Sequence, residues 1–143
     1  MIFAICYMLC AICYAVGRIV RNICSDADKI EAIGLIGVQR CLQYSAEVLR
    51  HKGLAEQVTA EVLISQLVEH GHEKLFILLD EYVVTEGGRR LGRPSHDAMM
   101  TEVEGLIGYL QQVQGAEKGQ EGQQREALKR FEGGRILLAV LAE

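Results

Sequence analysis

Half of the 143 residues are hydrophobic and 24% are charged, a balance that excludes a disordered chain and allows one domain with a real core. A single proline, no tryptophan, and strings of Ala, Leu, Glu, Gln and Val point to an all-α protein. The net charge of −4 is uneven: residues 1–24 carry two arginines and no acid, while the remainder holds thirteen basic and nineteen acidic residues. An acidic body argues against non-specific nucleic-acid binding, which depends on neutralising phosphates, so nucleic acid is not an expected partner.

The first predicted element is the stretch Met1 to Cys24, which has no charged residue, amide or proline between Ile2 and Val16. A hydrocarbon core of about 30 Å takes about 20 apolar helical residues, with about 17 near the lower limit. Ile2–Val16 reaches that length once Gly17, Ile19 and Val20 are added and Arg18 and Arg21 snorkel to the headgroups. The expectation is a single-pass membrane anchor over residues 1–24, with the following domain on the cytoplasmic side by the positive-inside tendency. The competing reading is a buried helix in a soluble bundle.

On this helix Cys6, Cys10, Cys13, Gly17 and Cys24 recur at spacings of four, three, four and seven. Such a stripe of small side chains lets another helix come close, in lipid or in water. The cysteines are too crowded for a disulfide framework, because one helix cannot bridge its own i and i+4 positions. Reduced thiols are expected, with Cys24 near the membrane surface open to S-acylation.

Residues 25–143 read as an acidic bundle of four to five helices. Ser25, with Asp28 three residues on, resembles a capping box opening a helix to about His51, and Arg50-His51-Lys52-Gly53 ends it. Gly34 and Gly37 in that helix cost about 1 kcal/mol each against Ala, and close approach by a partner helix is the expected compensation. Leu54–Glu69 is the next helix, with Gly71 ending or bending it. Leu75–Val84 is a short apolar helix.

Residues 87–94, with three glycines, three arginines and Pro94, read as a loop. Ser95 then caps a helix from His96 to about Gln114, with a core stripe of Met99, Val103, Leu106, Leu110 and Val113. A polar hairpin is expected at 114–123, and a final helix from Gln124 to Ala142, interrupted at Gly133-Gly134. Glu-Gly-Gly-Arg occurs at 86–89 and again at 132–135, but the flanking residues do not extend the match to a repeat.

Two groups of residues have the chemistry of a site. His70 and His72, with Glu69 and Glu73 beside them, are metal-ligand types, yet i and i+2 positions diverge by about 200° on a helix. Arg90 and His96, with five residues between them, resemble the Arg-x(4–6)-His pattern of HEPN-type ribonucleases, which are small helical bundles. That resemblance implies His96 as acid or base on a ribose hydroxyl and Arg90 as the phosphate contact. It covers that motif alone, with Pro94 inside the pair and Leu91 after the arginine. No Gly-rich phosphate loop or nucleophile elbow is present, and no cofactor is expected.

The sequence therefore predicts a non-enzymatic, membrane-anchored helical subunit of a complex or homo-oligomer. Its expected partners are membrane lipid and either another protein or further copies of itself. A soluble helical adaptor and a HEPN-like effector are the alternatives.

Overall fold

The computed structural model describes residues 2–114 and 121–142, with side chains of 2–9, 114 and 121–124 outside that description. Its elements are α1 (Ile2–Ala32), α2 (Leu35–His51), α3 (Ala60–His70), α4 (Glu86–Gln114), α5 (Glu121–Leu128) and α6 (Glu132–Ala142). No strand occurs among the described residues, so the chain is all-α as its composition predicts. Among the same residues no helix is long and apolar enough to cross a membrane, so the fold does not bear out the expected membrane span over residues 1–24.

α2 forms the centre of the body, packed against α3 and α6, while α4 touches α1, α2, α3 and α6. The core lies between them, built of Val38, Leu42, Leu63, Ile64, Leu67 and Leu79 with Met99, Val103, Leu106 and Leu137. Met99, Val103 and Leu106 are the α4 stripe that helical periodicity predicts. On α2 the buried stripe is Gly37, Val38, Leu42, Ala46 and Leu49, whereas Tyr44 faces solvent.

The element boundaries differ from the sequence expectation at several places. α1 does not end at Cys24 but continues to Ala32, and the Ser25 hydroxyl accepts a hydrogen bond from Lys29 Nζ in mid-helix rather than capping anything. The corner comes at Ile33-Gly34, where φ is +93°, a value that glycine adopts without strain. A Cβ on Gly37 would collide with the Ala32 carbonyl oxygen. Both glycines thus make the corner between α1 and α2, and neither offers a free face to a partner.

α2 ends at His51 with Gly53 at φ +73°, as the basic last turn and glycine predict. α3 starts later than expected, because the Thr59 hydroxyl caps it by accepting from the Val62 amide. Two π-helical turns, Gly71–Leu75 and Leu78–Tyr82, replace the expected helix Leu75–Val84. The Phe76 ring lies over Gly71, where even a methyl group would collide with it.

The largest correction concerns residues 87–94, which are not a loop: α4 runs from Glu86 through them, with Pro94 inside the helix. Their glycines serve close packing. A Cβ on Gly88 would lie 2.9 Å from Asp26 Oδ2 and 2.8 Å from Val83, and one on Gly92 would meet Leu79 at 2.7 Å and Ile30 at 3.3 Å. Asp26 and Ile30 are one turn apart on α1, as Gly88 and Gly92 are on α4, so the two helices run side by side across a glycine-lined seam. Pro94 removes the amide that would meet the Arg90 carbonyl, a tolerable loss because both residues are exposed.

Asp26, only 2% exposed, holds this seam together. Its carboxylate accepts from the Val84 amide at 2.8 Å, the Thr85 amide at 2.7 Å and the Thr85 hydroxyl at 2.6 Å, with Lys29 Nζ 3.8 Å away. The Thr85 hydroxyl in turn accepts from the Gly88 amide. A carboxylate from α1 thereby fixes Thr85, which caps α4, and sits near a helix start where the dipole favours negative charge.

A second, related arrangement opens α6. Glu102 Oε2 accepts from the Gly133 amide at 2.7 Å, and Arg135 Nε donates to the Lys129 carbonyl as Arg89 Nε donates to that of Val83. The two Glu-Gly-Gly-Arg segments are therefore one local device used twice. The break before α6 falls at Lys129–Phe131 rather than at Gly133-Gly134, and most of the expected hairpin at 114–123 lies outside the described residues.

Gly88→Ala is expected to destabilise the fold, while Gly87→Ala, whose Cβ meets nothing within 4 Å, should stabilise it by up to about 1 kcal/mol. Urea unfolding of the two variants measures the contrast. Burial raises the Asp26 pKa, but hydrogen bonds from the Thr85 hydroxyl and the Val84 and Thr85 amides, with the Lys29 charge, bring it below the ordinary value. Its stabilisation is therefore complete above the usual aspartate range of about 4 and is lost as pH falls through the lower folded value. Asp26→Asn should be less stable than wild type at pH 7, with the gap closing below about pH 4 in acid titrations followed by circular dichroism.

Candidate functional site

Above Asp26 the rest of α1 leaves the body. Every residue from Cys10 to Arg21 is exposed, as are Ile23 and Cys24, and Tyr14 reaches 75%. The sequence makes this segment helical because nothing in it breaks the pattern, and apolar because hydrophobic side chains lie on every face. Burying an Ile or Val side chain is worth about 1.5–3 kcal/mol, and Ile12, Val16, Ile19, Val20 and Ile23 forgo about half of that in the isolated chain.

Two lines run along this projecting helix. Ile12, Val16, Ile19, Ile23, Ala27 and Ile30 recur at spacings of four, three, four, four and three, and their lower end enters the seam with α4. At about 100° per residue, Arg18 and Arg21 lie about 140° and 160° away from Ile23, on the opposite side. The small-residue line holds Cys10, Cys13, Gly17 and Cys24, all exposed, and nothing lies within 4 Å of a Cβ built on Gly17. The side chain of Cys6 is outside those described.

Cys10 and Cys13 also stand at Cys-x-x-Cys spacing. The redox chemistry of that pattern is set at helix N-termini beside βαβ units; here it lies inside a helix of an all-α chain. Cys41 is a different case: burial pushes its thiol up against a weaker opposing hydrogen bond with Ser45, which makes it a poor nucleophile.

The other candidate residues are not brought together. Among the described residues no group of three or more His, Cys, Asp or Glu side chains could hold a metal ion. His70 lines an open groove between α2 and the first π-helical turn, beside Glu69 and Glu73. His72 packs edge-on against Phe76, with ring centroids 5.2 Å apart. Asp80 is held by Arg93, which keeps its carboxyl below the usual range.

Arg90 is exposed on α4, whereas His96 is 8% exposed. His96 Nε2 lies 2.9 Å from the Phe76 carbonyl oxygen; a carbonyl only accepts, so this nitrogen carries the proton. Nδ1 has no hydrogen-bond partner, with Asp97 Oδ1 at 3.5 Å. Six residues apart on one helix, the two side chains leave the axis about 120° from each other. Within one chain they share no face, and the imidazole secures the irregular backbone between the π-helical turns.

Asp26, Thr85, Gly88 and Gly92 position the projecting helix, and sequence reasoning does not single them out. The available signal was the second Glu-Gly-Gly-Arg, since a segment that opens a helix at 132 argues for the same at 86. Comparison with protein-family models, curated proteins and solved structures returns no match.

His96→Ala should cost about 1–3 kcal/mol by leaving the Phe76 carbonyl unpaired, while Arg90→Ala should stay within about 0.5 kcal/mol of wild type. Chemical denaturation of both variants tests the assignment; equal, negligible losses would contradict a structural role for the imidazole.

Proposed function

We propose that the chain is a membrane-anchored helical subunit whose α1 is embedded and whose body, α2–α6 with the lower end of α1, faces the cytoplasm. The observation that carries this reading is the exposed, apolar helix from Cys10 to Cys24, which the body leaves uncovered. Ile2 to Val20 is about 28 Å long at about 1.5 Å per residue, close to the hydrocarbon thickness of about 30 Å. Arg18 and Arg21 follow at the end nearer the body, where their stems can carry the charge to headgroups. The absence of acid before Asp26 fits the same placement.

Inside a bilayer, apolar side chains give helices little reason to associate, and small residues that permit close backbone contact decide which faces meet. The Cys10, Cys13, Gly17, Cys24 line supports assembly of several copies, or docking on another anchored helix. This is a structural role without a reaction.

One observation favours a soluble adaptor instead. The lower half of α1 is amphipathic, with the Ile and Val line opposite Arg18 and Arg21, a pattern that also suits a helix laid into a protein groove.

Alkaline carbonate extraction separates the two. The anchored subunit stays in the membrane pellet, and Ile12→Lys, costing about 2.5–3.5 kcal/mol near the centre of a span, should release much of it. Recovery of the wild-type chain in the supernatant would favour the adaptor.

A further inference from the structure

We propose that, away from a bilayer, two copies of this chain pack their α1 helices antiparallel about a two-fold axis close to Cys24. The inference goes beyond the anchoring reading, because it concerns the lipid-free chain and does not require α1 to enter a membrane. Cys10, Cys13, Gly17, Val20, Cys24 and Ala27 recur at alternating spacings of three and four, the heptad period of a coiled-coil seam. All six are exposed, and nothing lies within 4 Å of a Cβ built on Gly17. Five of the six are small, so a facing helix can come close.

Charge selects a second copy and sets its direction. Arg21 and Asp28 stand on one flank of the seam, about 60° and 40° around the helix from Cys24. Both are exposed, and neither joins an ion pair among the described residues. The other flank carries Val16 and Ile23, about 80° and 100° from Cys24 in the opposite sense and both exposed.

In an antiparallel two-fold pair like flanks meet. Arg21 of each copy then faces Asp28 of the other, because the two residues are equally far from the midpoint between Cys24 and Ser25. The apolar flanks close against each other on the opposite side. A parallel pair would instead lay the charged flank of one helix on the apolar flank of the other. Glu31, the next residue along the seam, is already engaged by Arg40 at 3.2 Å. The two tips point in opposite directions, so entry into one bilayer requires the pair to part.

The test uses the full chain synthesised without lipid or detergent and followed by sedimentation velocity. The expected species is a dimer. Arg21→Asp or Asp28→Arg alone should raise its Kd at least about tenfold, since each change sets like charges against each other at both ionic contacts. The two changes in one chain restore opposite charges and should restore the dimer. Direction is read with chains that keep one of the five cysteines, the others replaced by alanine. A short bismaleimide should join Cys24 to Cys24, but not Cys10 to Cys10, which lie about 40 Å apart in the antiparallel pair.

Monomers, or assemblies larger than a dimer, would overturn the proposal. So would a double variant that fails to recover, or a link through Cys10. Retention in carbonate-washed membranes is measured separately. Loss of the dimer therefore leaves the anchor standing, and release from membranes leaves the dimer standing.

Discussion

A carboxylate taken out of water is tolerated when donors converge on it, and Asp26 has three such donors within hydrogen-bonding distance. That convergence orders two elements at once. It fixes the rotation of α1 about its own axis, since the side chain must point at the turn before α4. It also pairs the Val84 and Thr85 amides just before α4 and steadies Thr85, whose hydroxyl caps that helix by accepting from the Gly88 amide. The glycine seam follows from the same contact, because a carboxylate 2.9 Å from a would-be Cβ of Gly88 leaves room only for hydrogen there.

Glu102 repeats the idea at the other end of the body. In both places an acid on one helix accepts from backbone amides at or just before the start of another, and an arginine in the first turn reaches back to a carbonyl six residues earlier. A helix start secured from a distant part of the sequence cannot be completed until tertiary packing is in place. The Gly133 amide at the start of α6 therefore finds its partner only once the body is assembled, unlike α3 and α4, whose Thr59 and Thr85 caps are local.

What could be read from the sequence follows this distinction between local and distant causes. Helical class, the Met99–Val103–Leu106 stripe and the stop at Gly53 all arise from periodicity or neighbouring residues, and they were legible. Residues 87–94 were not. Glycine and proline signal a turn only if nothing else needs their small size or tolerates the missing amide, and the reason for Gly88 and Gly92 lies about sixty residues away on α1. Ser25 misled in the same way, because a hydroxyl in front of an acid suggests a helix start even where the preceding helix continues. Of the candidate site, the apolar character of the opening segment was plain, but its projection clear of the body depends on where Asp26 docks. The structural contact of His96 was hidden for a similar reason: the carbonyl it binds is exposed by π-helical turns that no simple period announces.

α1 passes from its uncovered part into the body without a break at Cys24, and neither glycine nor loop stands between that residue and the corner at Gly34. A flexible tether would let its cargo wander beneath the point of attachment. A continuous helix acts as a stiff shaft, so any torque or tilt imposed on the greasy end reaches the Asp26 clasp and is felt at the head of α4. Whatever grips the shaft thus also sets the bearing of the domain it carries.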